Sequence, residues 1–261
     1  MSLGKRISVI AITEKGARLA EKIVNELTAT LYLPDKCKNL VQAKYFDSLQ
    51  DIFSYCFKNY EGIVAIMAQG IVARMVNGLI KNKYVDPAVV VCDEVGRFAI
   101  SMLSGHEGGA NELTFLVASI TGAEPIITTA SEANKIYVAG VGCRQGVKKE
   151  KILDALNRAT EIVNISTNNI RVIASCWHKK GEIGLIEAAK ELNCYLRFLP
   201  KELYENALYS FKETAAKKYL GIKGVAEPSA LLAARNPKLI LVKTVFDGVT
   251  IAIAKENLLN G

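Results

Sequence analysis

Residues 62–80 read GIVAIMAQGIVARMVNGLI, and this stretch decides the fold. Residues 62–68 form an apolar run without polar alternation, which is how a strand covered on both faces reads. Gln69 and Gly70 interrupt the run, and over residues 71–80 apolar side chains recur at helical spacing. A buried strand that turns through a glycine into an amphipathic helix is the repeating unit of an α/β domain.

The same unit appears on either side. Residues 6–12 (RISVIAI) predict a buried strand, and Thr13 is placed to cap a helix running to Leu27. A second helix is predicted over 48–59. Downstream, strands at 88–92 and 98–103 are joined by the turn-like residues 93–97, followed by a helix at 110–121 and a strand at 125–129. The polar stretch ASEANK, residues 130–135, predicts a linker. The pattern then restarts with strands at 136–141, 171–175 and 195–198 and helices at 148–159 and 183–192. Glu227-Pro228-Ser229 opens a later helix. Asp247-Gly248 predicts a hairpin between 239–244 and 249–254. The expected fold class is α/β, two domains, each a mostly parallel sheet flanked by helices, over residues 1–130 and 136–261.

Composition narrows the function. Of the 261 residues, 50% are hydrophobic and 23% charged, the balance of a globular chain. No run approaches the roughly 20 apolar residues of a membrane span, and the first residues enter a strand with no secretory apolar region. A cytoplasmic location follows as an expectation. Six cysteines include no C-x-x-C pair, which argues against a disulfide framework or a zinc site. The formal charge of +7 favours an anionic partner. The lysines are dispersed and not interleaved with aromatics, so no nucleic-acid platform is expected.

The densest chemical signal is LSGHEGGANEL, residues 103–113. Gly105, Gly108 and Gly109 let a backbone approach a ligand closely, and the amides at the start of the following helix favour a carboxylate or an oxyanion. His106 sits at the centre of the loop. Imidazole, with an ordinary pKa of about 6.5, can take and return a proton near neutrality. Glu107 and Glu112 are candidates to orient it. Ser104 does not sit in a G-x-S-x-G elbow and reads as a turn or capping residue. HEGGANE lacks the second histidine of H-E-x-x-H, so no protein-bound metal is expected. Gln69, Gly70 and Arg74, with Asp93 and Glu94, are expected on the same sheet edge as this loop, Arg74 as a carboxylate clamp. In the second half, GVGCRQG (140–146) has the spacing G-x-G-x-x-x-G, not that of a dinucleotide loop. Gly142 and Arg144 read instead as contacts to an anionic group. His178, beside Trp177, reads as a packing or surface residue.

Taken together and in order, these segments resemble the cobalt-precorrin-5A hydrolase (CbiG) family. The residues that carry the resemblance are Met67 to Arg74, the DPAVVV run at 86–91 with Asp93-Glu94 and Gly96-Arg97-Phe98, and above all Ser104-Gly105-His106 with Gly108-Gly109-Ala110-Asn111-Glu112-Leu113. Farther on, Pro125, Thr128-Thr129-Ala130, Gly140 to Arg144 and GVAEPSAL at 224–231 follow the same pattern. Ser131-Glu132 and Cys176-Trp177-His178 depart from it. The resemblance implies opening of the δ-lactone of cobalt-precorrin-5A with loss of C20 as acetaldehyde, giving cobalt-precorrin-5B. It implies an anionic tetrapyrrole substrate, with Asn111 and Ser104 among the residues around it. It also implies no cofactor, because the cobalt arrives inside the substrate. A homodimer or contacts with pathway enzymes are the expected protein partners. A non-catalytic corrinoid-binding or scaffold protein, a nucleotide-using enzyme and a nucleic-acid binder stay open as alternatives.

Overall fold

The structure is a computed structural model and describes residues 5–38, 40–214 and 216–258. It divides into two compact units, Met1–Thr129 and Ala130–Gly261.

In the first unit the strands are β1 (Ile7–Ala11), β2 (Thr30–Pro34), β3 (Lys44–Phe46), β4 (Gly62–Ile66), β5 (Ala88–Cys92), β6 (Phe98–Leu103) and β7 (Glu124–Ile126). The helices are α1 (Glu14–Leu27), α2 (Leu49–Asn59), α3 (Gln69–Val76) and α4 (Ala110–Thr121). Strand order is β3-β2-β1-β4-β5-β6-β7. Every pairing is parallel except β5 with β6. Alternation along each strand divides its side chains between two apolar layers. Ile7, Val9 and Ala11 of β1 pack on one side with Ala17, Ile23 and Leu113. Ile10 faces the other side with Phe53, Val72 and Val76.

The second unit opens with α5 (Ala130–Ala133), where a linker was expected. Glu132 in that turn is buried, with Lys135 3.0 Å from its carboxylate. The strands that follow are β8 (Tyr137–Cys143), β9 (Ile170–Cys176), β10 (Tyr195–Leu199), β11 (Pro237–Phe246) and β12 (Val249–Glu256). The helices are α6 (Lys149–Ile162), α7 (Ile183–Glu191), α8 (Lys201–Glu205), α9 (Ala216–Leu220) and α10 (Ala226–Leu232). The order is β10-β9-β8-β12-β11; β12 alone runs against the other four. α6 and α7 cover one face, and α10 lies on the other against Ala252 and Ala254. Gly140 permits that approach: a Cβ there would stand 1.9 Å from the Ala226 carbonyl oxygen. The hairpin turn is as expected, with positive φ at both Asp247 and Gly248.

Several expected boundaries move. The helix expected over 71–80 runs from Gln69 to Val76, ended by extended Asn77 and by Gly78 at φ +80°. The strand expected over 125–129 covers only Glu124–Ile126. β2 and β3, together with α8 and α9, lie where no element was expected; each is five residues or shorter, too brief for periodicity to register.

The consequential correction concerns the sheet edge. β5 and β6 are antiparallel, with Val89 opposite Leu103 and Cys92 opposite Ala99. The loop after β6 therefore emerges at the amino ends of β1, β4 and β5. Gln69, Gly70, Arg74, Asp93 and Glu94 lie at the carboxyl ends of β4 and β5. The two groups occupy opposite edges, separated along a five-residue strand by roughly 13 Å.

Candidate active site

The loop from Ser104 to Gly109 is tightly built. Ser104 sits in the left-handed region at φ +58°, where few non-glycine residues are found. Its hydroxyl is buried without a hydrogen-bond partner among the described residues. That hydroxyl does not cap α4; the Ser104 carbonyl does the work, accepting from Ala110 N–H at 3.2 Å, as Gly105 does from Asn111 N–H at 2.9 Å. Gly108 packs onto Ser104 so closely that a Cβ would lie 2.3 Å from the serine Cβ. Gly109, at φ +88°, delivers the chain into α4.

Two lysines hold this loop from outside. Lys5 Nζ donates to the Gly108 carbonyl at 2.8 Å. Lys83 pairs with the Glu107 carboxylate. The Lys83 hydrogen bond keeps the Glu107 carboxyl below the usual glutamate range, so it is ionised at neutral pH. Buried Asp86 folds the Lys83 segment by accepting the Lys81 N–H at 3.1 and 3.0 Å on its two oxygens.

His106 projects into solvent, and neither Glu107 nor Glu112 hydrogen-bonds it. Glu112 is exposed in the first turn of α4. Asn111, expected near substrate, is fully buried: it accepts from Ser101 Oγ at 2.7 Å and donates to Thr129 Oγ1 at 3.1 Å. It ties β6, α4 and the segment after β7 together and acts on the loop through position alone. Among the described residues, the amides of Gly105, His106, Gly108 and Gly109 donate to no protein group. The site thus presents backbone donors, an exposed imidazole and nearby ammonium groups at one edge.

The opposite edge does different work. Asp93 accepts from Arg97 N–H at 2.7 Å, Phe98 N–H at 2.9 Å and Arg97 Nε at 3.1 Å, so it organises the β5–β6 turn. Arg74 donates back to the Gly70 carbonyl at 3.3 Å on the helix surface. In the second unit, Gly142 and Arg144 border a cleft of about 1200 Å³ at the ends of β8 and β9.

Family models for Cobalamin synthesis G N-terminal and Cobalamin synthesis G C-terminus match residues 51–132 and 137–254. The chain belongs to the cobalamin synthesis G family. A cobalt-precorrin-5A hydrolase of Priestia megaterium is 24% identical over 95% of this chain and 94% of its own. A protein named "Probable cobalt-precorrin-5A hydrolase" from Methanocaldococcus jannaschii is 27% identical over 97% of this chain and 99% of its own. A cobalt-precorrin-5A hydrolase of Salmonella typhimurium is 36% identical over 50% of this chain and 37% of its own. The Priestia alignment runs over 353 positions against 261 residues here, so at least 92 positions of that family member have no counterpart in this one.

Lys5, Lys83 and Asp86 were not anticipated as parts of the site. Asp86 had a sequence signal, since it opens the DPAVVV run, but the two lysines had none: each reaches the loop across a long sequence separation, 103 residues for Lys5.

Proposed function

We propose that this chain hydrolyses the δ-lactone of cobalt-precorrin-5A and releases acetaldehyde, with the Ser104–Asn111 loop as the reacting site. The observation that carries the reading is the loop itself: unengaged amides and an exposed imidazole share one short loop at the start of α4. Two relatives aligned over nearly the whole chain carry the hydrolase name, which supports the choice of substrate.

The reaction needs a base for water, donors for the tetrahedral oxyanion, and a proton for the macrocycle as acetaldehyde departs. His106 takes a proton from the water that attacks the lactone carbonyl; the acyl C–O bond breaks, the freed C20 oxygen becomes the carbonyl of acetaldehyde as the C–C bond to the macrocycle breaks, and the macrocycle keeps that electron pair and receives the proton back from His106. The N–H groups between Gly105 and Gly109 hold the oxyanion, helped by the dipole of the twelve-residue α4. Glu107, ionised against Lys83, is not the proton donor; the pair holds the loop in place. Buried Ser104 is out of reach of a substrate in this conformation and is not the nucleophile. Arg74, Gln69, Gly70 and Glu94, at the opposite edge, can reach only peripheral groups of a large substrate. The protein supplies no cofactor in this scheme, and cobalt is cargo of the substrate. No described helix is long and apolar enough to cross a membrane, and six unpaired thiols suit a reducing compartment, which supports a cytoplasmic site of action.

The test is anaerobic incubation with cobalt-precorrin-5A and assay of acetaldehyde. Release equal to substrate consumed is expected, with a fall of at least 100-fold in kcat for His106→Ala and an unchanged melting temperature. A folded His106→Ala protein with undiminished turnover would remove His106 from the mechanism. Substrate binding without acetaldehyde would replace the hydrolase with a corrinoid-binding protein.

A further inference from the structure

Within the reacting loop, the peptide between Gly108 and Gly109 is the link that its own residues restrain least. Neither position tolerates a side chain. At Gly108 a Cβ would lie 2.3 Å from the Ser104 Cβ, and Gly109 stands at φ +88°. A peptide plane turns over by rotation about ψ of the residue before it and φ of the residue after it. With glycine on both sides, no Cβ opposes that rotation. The packing that calls for two glycines therefore leaves the direction of this N–H open to outside control.

Lys5 supplies the restraint. Its Nζ donates to the Gly108 carbonyl at 2.8 Å from 103 residues away, just ahead of β1. The same ammonium lies 2.6 Å from where a Gly109 Cβ would stand, so it sits against the peptide itself. Among the described residues, no backbone N–H donates to that carbonyl. The peptide is trans, and in a trans peptide the C=O and N–H point to opposite sides. Holding the carbonyl toward Lys5 thus turns the Gly109 N–H away from it, where it meets no protein acceptor among the described residues. Lys83 provides the contrast: it pairs with the Glu107 carboxylate and restrains a side chain.

The same bond has an electronic effect. A hydrogen bond from an ammonium group is roughly twice as strong as one between neutral groups. Drawing electron density onto the carbonyl oxygen makes the N–H of that peptide a stronger donor, as in any chain of linked hydrogen bonds. Gly109 also leads directly into the twelve-residue α4, so its amide lies at the positive end of the helix dipole. Orientation, polarisation and dipole all act on one N–H in the same sense.

We propose that Lys5 is a positioning residue for the reaction: it fixes the Gly108–Gly109 peptide so that the Gly109 N–H faces the oxyanion. Lys5 itself touches no reacting atom. The inference rests on the hydrolase reading above and deepens it by naming the residue that aims one of the oxyanion donors.

Two variants test it. Lys5→Met removes the donor and Lys5→Arg keeps one; Lys5 is exposed, and both proteins are expected to melt with the wild type. In the acetaldehyde assay Lys5→Met should lose about tenfold or more in kcat while KM changes by less than about twofold, because the donor acts on the transition state and not on bound substrate. Lys5→Arg should return kcat to within about threefold of wild type. An unchanged kcat, a rise in KM alone, or a loss that merely follows a lowered melting temperature each overturns the assignment. A second readout needs no substrate. In protein labelled with nitrogen-15 glycine, the Gly109 amide signal should move or broaden in Lys5→Met and return toward its wild-type position in Lys5→Arg. The Gly78 amide, which has open space around it, should stay fixed in both. A Gly109 signal that ignores Lys5→Met overturns the positioning role even where wild type releases acetaldehyde. Wild type that releases none, with a Gly109 signal that responds, removes the hydrolase and leaves the hold of Lys5 on this peptide standing.

Discussion

Gly108 shows how much one missing methyl group decides. A Cβ at that position would collide with the Ser104 Cβ at 2.3 Å and its carbonyl oxygen at 2.9 Å, and neither belongs to a flexible chain end. Gly108→Ala is expected to cost about 2–3 kcal/mol in urea unfolding and to abolish turnover. Gly78→Ala provides the contrast: nothing stands within 4 Å, so only its positive φ opposes the change, at about 1 kcal/mol. The importance of the glycines was legible from their density beside a histidine. The strain at Ser104 was not, because nothing in the letters places a serine at positive φ. Nor did Lys5 announce itself, since a single lysine near a chain terminus carries no pattern.

Among the elements, the turn between β5 and β6 decides the geometry of the first unit. Asp93 is its organiser. Burial alone would raise the Asp93 carboxyl, but the Phe98 and Arg97 amides and the Arg97 guanidinium outweigh it and bring it below the ordinary aspartate range. A lowered folded-state pKa means the stabilisation is complete above about pH 4, the unfolded value, and is lost as pH falls through the folded value. Asp93→Asn should therefore lower stability near pH 6 and flatten its acid dependence below pH 4, read from denaturant melts across pH. The edge assignment could have been corrected from sequence: a five-residue connection such as residues 93–97 joins antiparallel neighbours, because a parallel return needs a crossover of a dozen residues or more. In the second sheet, Arg171 of β9 meets Glu256 of β12 at 2.6 and 3.2 Å, with side chains 16% and 6% exposed. Arg171→Ala leaves that carboxylate buried without its cation and is expected to cost about 3–5 kcal/mol. Replacing both residues with methionine should recover most of the loss.

For the whole molecule, the net charge of +7 acts at long range on an anionic substrate. KM for cobalt-precorrin-5A is expected to rise several-fold between 50 and 500 mM salt while kcat holds, because screening weakens encounter and peripheral contacts more than the enclosed chemistry. A salt-independent KM would show that the carboxylates are not read by charge.

Sequence by itself determined the α/β class, the restart of the pattern near residue 136 and the location of the richest chemical segment. These depend on local periodicity and on glycines that no other residue replaces. Only the tertiary structure decided that the loop after β6 opens opposite Arg74 and Asp93, that Lys5 and Lys83 clamp it, and that a cleft of about 1200 Å³ lies at the ends of β8 and β9. Those outcomes depend on the direction in which one strand returns and on contacts between residues far apart in the chain, where no local pattern reports.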